Sequence, residues 1–128
     1  MKNYFVIGVM SGTSIDGVDL VYANFFYQES WNFKIIHSKT YEYDNEWQVI
    51  LKSIVKNNIE SINQIDINYT KLLSKYILKF INEYQISEID FVSSHGHTAL
   101  HDPSNSLTYQ IGNLPELTNY LGLKVICD

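Results

Sequence analysis

The run Tyr4-Phe5-Val6-Ile7-Gly8-Val9-Met10 constrains this chain most, because it carries no charge and is rich in β-branched and aromatic side chains. Such a run suits a strand covered on both faces, which places it at the centre of a sheet with other layers packed around it. The following segments supply its neighbours. After a polar, glycine-punctuated stretch from Ser11 to Gly17, Val18 to Phe26 resumes strand-like composition, and Trp31 to Tyr41 gives a third strand after a short turn around Gln28 to Ser30. Three antiparallel strands are expected to open the fold.

The pattern then changes period. From Trp47 the apolar residues fall at Ile50, Leu51, Ile54, Val55 and Ile59, a helical stripe with Asp44 placed to cap its N-terminus. Ser61 and Gln64 have capping-box spacing, and Ile65, Tyr69, Leu72, Leu73, Tyr76, Ile77, Phe80, Ile81 and Tyr84 trace one face of a second, longer helix. Ile89 to Ser93 and Leu107 to Ile111 read as short strands, Leu114 to Tyr120 as a short helix, and Leu123 to Cys127 as a final strand before Asp128. Strands first, with helices packed afterwards on a mixed sheet, make this an α/β layer and not a bundle or a sandwich. The tyrosines of the long helix fall on its apolar stripe and are read as core, while Lys71, Lys75 and Lys79 share a solvated face.

Composition narrows the function. A chain of 128 residues with 45% hydrophobic and 18% charged residues is sized for one domain with a real core. Its net charge of -5, with 9 scattered Lys and Arg, argues against a nucleic-acid surface. No apolar run approaches the roughly 20 residues that cross a bilayer, and no cleavage site follows the first residues, so a cytoplasmic protein is expected. Cys127, the one cysteine, has no CxxC partner and is read as a buried core thiol.

Chemistry concentrates in Gly8-Val9-Met10-Ser11-Gly12-Thr13-Ser14-Ile15-Asp16-Gly17-Val18-Asp19, between the first two strands. Gly12 and Gly17 permit backbone conformations closed to other residues, and successive N–H groups there form an anion-binding concavity, with hydroxyls from Thr13 and Ser14. Asp16 and Asp19 would repel a bare phosphate; their presence makes sense if Mg²⁺ and its waters stand between carboxylate and nucleotide, which suggests Mg-ATP. Read from the residues alone, the segment equally serves as a glycine-rich turn whose Ser, Thr and Asp satisfy backbone hydrogen bonds. It is not a Walker loop, since no Lys follows the glycines and a strand comes next.

Met10-Ser11-Gly12-Thr13-Ser14-Ile15-Asp16-Gly17-Val18-Asp19 resembles the N-terminal signature of anhydro-N-acetylmuramic acid kinases, a branch of the actin and hexokinase superfamily. The resemblance implies an actin-like (ribonuclease H-like) half-domain, with a mixed sheet of three N-terminal antiparallel strands and packed helices, whose first hairpin grips nucleotide phosphates. It makes Gly12, Thr13, Ser14, Ile15, Asp16, Gly17, Val18 and Asp19 the ATP-binding segment, with Asp16 and Asp19 reaching Mg²⁺ through water.

A second cluster reads Ser93-Ser94-His95-Gly96-His97-Thr98-Ala99-Leu100-His101-Asp102-Pro103, followed by Thr108-Tyr109-Gln110-Ile111-Gly112-Asn113. His-x-His with a third His nearby suggests zinc, but histidines that only hydrogen-bond to a loop are commoner and no Cys or Glu reinforces the site, so metal ranks second. The stretch is similar to the family's Ser-His-Gly-Gln-Thr, His-x-Pro and Thr-x-Gln-Ile-Gly-Asn segments near the sugar cleft, with His97 in place of the usual Gln. Neutral imidazole still donates one hydrogen bond and accepts another. His95, His97 and Thr98 are thereby implied to face the sugar.

The resemblance spans the whole chain but only the N-terminal portion of a family member. Family enzymes continue past the position of Asp128 and later supply an Asp-Thr-Gly-Pro-Gly-Asn segment whose Asp is the catalytic base, with an adenine-binding lobe. Residues 1–128 are thus expected to be an incomplete N-terminal actin-like ATPase domain, with no catalytic residue of its own and no meaningful kinase activity in isolation. The implied reaction is ATP-dependent opening and phosphorylation of 1,6-anhydro-N-acetylmuramic acid to N-acetylmuramic acid 6-phosphate in peptidoglycan recycling. An exposed apolar face where the missing lobe would pack implies a homodimer or association with that lobe. Two alternatives stand beside this: an inactive truncated or split-gene module that pairs with another chain, and a kinase of the same superfamily acting on another sugar.

Overall fold

The computed structural model of the chain describes residues 2–11, 15–102 and 107–127, with backbone only for residues 55, 59, 99–102 and 107–109. Three strands open it: β1 (Asn3–Ser11), β2 (Gly17–Gln28) and β3 (Ser30–Glu42). They pair antiparallel in sequence order, from Ser11↔Val18 to Asn3↔Phe26 and from Gly17↔Glu42 to Gln28↔Ser30. Glu29 makes the tight β2–β3 turn at φ 61. A bulge opposite Tyr22 and Ala23 re-aims the middle of β3.

Next come the helices α1 (Asn45–Ser53), continued by a single 3₁₀ turn at Ile54–Lys56, and α2 (Ile59–Glu83). Asp44 caps α1 as expected, its side chain accepting from the backbone N–H of Trp47. The cap of α2 differs from the expected capping box. Asn58 accepts from the backbone N–H of Ser61, because the helix starts at Ile59 and Ser61 already lies in its first turn. Gln64 reaches forward to Asn68 instead.

The remaining elements are β4 (Phe91–Ser94), β5 (His97–Asp102), β6 (Leu107–Ile111), α3 (Glu116–Leu121) and β7 (Val125–Cys127). β4 runs parallel to β1, and β7 parallel to β4, giving one five-stranded mixed sheet in the order β3-β2-β1-β4-β7; β5 and β6 form a separate hairpin. This is the mixed sheet of an actin-like half-domain, with β1 at its centre. β5 was not expected: its sequence mixes polar and apolar residues without alternation.

One face of the sheet packs on α2. Ile7, Val9, Leu20 and Val92 meet Tyr69, Leu73, Ile77 and Phe80 in a continuous core. Burying each side chain of that size contributes about 1.5–3 kcal/mol, so α2 is the main anchor of the sheet. The opposite face departs from the expected two-sided covering of β1. Tyr4 and Met10 remain exposed there, together with Phe25, Trp31 and Phe33. Cys127 is exposed as well, not a core thiol, because β7 is the edge strand. Lys71, Lys75 and Lys79 lie on the solvated face of α2, with the Lys79 ammonium 5.2 Å from the Tyr41 ring centroid.

Candidate active site

The carboxyl ends of the parallel strands β1 and β4 lie side by side, where ligands of open α/β sheets gather. The backbone N–H of His95 donates to the Val9 carbonyl at 3.0 Å, and that of Ser11 to the Gly96 carbonyl at 3.4 Å. The two sequence clusters are thus joined through main chain.

Of the first cluster, Gly12, Thr13 and Ser14 lie outside the described residues. Ile15 has φ 56, a left-handed conformation that costs a β-branched residue of order 1–3 kcal/mol. Such strain persists only where the surroundings impose it. Here they include the Asp16 carbonyl, which accepts from the backbone N–H of Tyr43 at 2.9 Å. Gly17 is required for a reason other than the expected unusual backbone. It does not share the positive φ of Gly96, Gly112 and Gly122, but a Cβ on it would stand 2.5 Å from the Tyr41 carbonyl oxygen. Close approach of β3 selects the glycine. Val18 is fully buried between β1 and β3 and presents no accessible surface to a ligand.

Asp19 projects from the exposed side of the sheet and accepts a hydrogen bond from the Thr40 hydroxyl. It lines an open cavity of about 620 Å³ shared with Gly8, Met10, Thr40, Ser93 and His95. Asp16 is exposed at the start of β2. Carboxylates in such positions are hard oxygen donors that suit Mg²⁺ held through water. Among the described residues no three His, Cys, Asp or Glu side chains gather as metal ligands. The His101 and Asp102 side chains lie outside the described residues, so they add nothing to the zinc reading.

The second cluster divides by environment. His95 borders the cavity, and its Nε2 accepts from the Gln110 amide at 3.3 Å, which puts the neutral ring's proton on Nδ1. That Nδ1 is buried without a partner among the described residues, as are Ser94 Oγ and Asn113 Oδ1. Unpaired buried polar atoms are rare enough to mark places where a ligand or water completes the bonding. Thr98 is exposed on β5, opposite Gln110. His97 is buried, with Nδ1 2.8 Å from the Ser11 hydroxyl, leaving Nε2 for any other contact; burial holds its pKa below the ordinary imidazole value.

Several residues of the site escaped the sequence reading. Ser11 Oγ also meets the Tyr43 hydroxyl at 2.8 Å, and Tyr43 in turn bonds the Tyr69 hydroxyl. Burial raises the pKa of both phenols, keeping them neutral. Asp66, buried on α2, accepts from the Gly112 N–H at 2.6 Å and from Thr70, fixing the turn after β6. Its pKa is raised by burial, against the lowering effect of those two bonds. A polar residue on an otherwise apolar helical stripe was the available signal for Asp66; nothing local marked Tyr43 and Tyr69 apart from core aromatics.

Comparison with known proteins places residues 4–128 in one family. The family model described as anhydro-N-acetylmuramic acid kinase matches residues 4–128. A protein named anhydro-N-acetylmuramic acid kinase from Sulfurimonas denitrificans is 35% identical over 97% of this chain and 34% of its own length. Proteins of the same name from Brucella canis and Haemophilus influenzae are 32% and 27% identical, covering 95% and 100% of this chain and 35% and 34% of their own. The chain therefore spans about a third of the length of the curated relatives it matches.

Proposed function

Since the chain belongs to the anhydro-N-acetylmuramic acid kinase family, we propose that it supplies the phosphate-binding hairpin and part of the sugar wall of a kinase acting on 1,6-anhydro-N-acetylmuramic acid. The observation that carries this reading is the convergence of Asp19 and His95 on one cavity at the carboxyl ends of β1 and β4. In it, backbone amides of Gly12 to Gly17, with the Thr13 and Ser14 hydroxyls, hold the ATP phosphates. Asp16 and Asp19 orient waters of a Mg²⁺ ion, which neutralises charge on the phosphates when bound. His95 offers its unpaired Nδ1–H to a sugar oxygen and Thr98 faces the same ligand, while the buried His97 acts from behind, through Ser11.

In the proposed reaction, water adds to C1 of the sugar as the C1–O6 bond breaks, a carboxylate base takes the water's proton, and O6 receives the γ-phosphoryl group while ADP leaves. In this reading the base comes from outside the third of the relatives' length matched here, from a second lobe that also holds adenine. The described residues contribute positioning and charge stabilisation, which dominate phosphoryl transfer. On this reading the protein acts in cytoplasmic recycling of peptidoglycan sugars, with the second lobe or a second copy of the chain as its partner.

Calorimetric titration of the intact protein tests the reading. Mg-ATP is expected to bind about tenfold more weakly to Asp19→Asn, as for loss of one charge-assisted contact, while metal-free ATP binds both forms alike. Failure of the unaltered protein to bind Mg-ATP, or an Asp19→Asn loss that persists without the metal, overturns it.

A further inference from the structure

The segment linking β1 to β2 is gripped at both ends by one residue. Tyr43 directs its hydroxyl to Ser11, the last residue of β1, at 2.8 Å, and its backbone N–H to the Asp16 carbonyl, just before β2, at 2.9 Å. Ser11 is held a second time, by His97 Nδ1 at 2.8 Å. We propose that Tyr43 and His97 form a clamp that positions the phosphate-binding segment, with His97 acting through Ser11. The inference rests on the phosphate-binding reading of that segment given above.

Hydrogen bookkeeping supports it. Tyr69, Tyr43 and Ser11 each have one hydroxyl hydrogen, and the order Tyr69 to Tyr43 to Ser11 to His97 Nδ1 uses each once, ending on the lone pair of a neutral ring protonated at Nε2. Three of its members are withdrawn from water, Tyr69 at 0%, Tyr43 at 3% and His97 at 5% exposed, while Ser11 is half-buried. A buried hydroxyl without an acceptor is costly, which favours this order of donors for Tyr69 and Tyr43. The four members come from β1, the segment after β3, α2 and β5, which ties the ends of the hairpin segment to the core and to the second cluster. His97 also packs 6.1 Å from the Tyr69 ring centroid, holding the imidazole plane in place.

Removing the acceptor while keeping the bulk isolates the clamp. In the intact protein, His97→Leu is expected to raise amide hydrogen exchange over a peptide spanning residues 11–17 about tenfold, with α2 peptides unchanged. His97→Gln, whose side-chain oxygen accepts the same bond, should return exchange to within about twofold of the unaltered protein, a rescue that loss of packing alone would not give. Tyr43→Phe keeps the ring and removes the hydroxyl, so it serves if His97→Leu does not fold, with the same expected rise. Affinity for Mg-ATP should follow the same order. Unaltered exchange at residues 11–17 in His97→Leu or Tyr43→Phe, or no rescue by Gln, overturns the clamp. Exchange that responds as expected in a protein that does not bind Mg-ATP upholds the clamp and removes the phosphate reading.

Discussion

The two faces of the five-stranded sheet are built from the same strands, and both carry apolar side chains, yet only the one towards α2 is packed throughout. Towards α2, Ile7, Val9, Leu20 and Val92 are buried in a continuous core. On the other side Tyr4, Phe25, Trp31 and Phe33 stand exposed, with Tyr4 and Trp31 centroids 6.1 Å apart and those of Phe25 and Phe33 6.0 Å. A strand that is apolar on both sides calls for two layers, and the described residues supply one. The difference lies in the partner, α2, and not in the strands themselves. Exposed aromatic patches of this kind mark surfaces that meet something else.

The sharpest test of that contrast removes a ring from the packed side. Phe80 on α2 is fully buried and meets Tyr84 edge-on at 5.1 Å. Phe80→Ala is expected to destabilise the fold by about 3–5 kcal/mol through lost burial and the cavity left behind. A lowered midpoint in urea with an unchanged m-value would show it; a loss below about 1 kcal/mol would mean that α2 does not anchor the sheet.

A smaller effect is expected at the hairpin, where β2 and β3 touch. Gly17→Ala would set a Cβ 2.5 Å from the Tyr41 carbonyl, a contact with backbone that cannot rotate away. The strands must part locally, at a cost of about 1–3 kcal/mol. Thermal unfolding measures it, and a neutral substitution would deny that close approach selects this glycine.

What could be read in advance follows the range of the interactions. Strands with β-branched runs, the stripe of α2 and the Asp44 cap are specified by residues within a few positions of one another, and these matched the structure closely. The Asn58 cap was missed because Ser61 and Gln64 satisfy the same local pattern two residues inside the helix. The exposure of Cys127 depends on β7 being an edge strand, which no local pattern states. At the site, the signature between β1 and β2 was visible as a motif, but the partners of Ser11 lie 32 and 86 positions away, at Tyr43 and His97. Pairing at that distance is decided by the sheet order, so Tyr43 and Tyr69 looked like ordinary core aromatics until the topology was known.

The smallest expected effect lies on the open face and bears most directly on the comparison. Phe33 is 64% exposed on β3, the outermost strand at that end of the sheet. With so little of its surface withdrawn from water, Phe33→Ser should alter stability by less than about 0.5 kcal/mol, as for surface substitutions generally. Chemical unfolding of the intact protein measures this against Phe80→Ala under the same conditions. Should Phe33→Ser instead cost 2 kcal/mol or more, the ring must be covered in that protein by a layer beyond the described residues. The two faces would then be equivalent, and the uncharged run from Tyr4 to Met10 would have both of the layers that its composition requires.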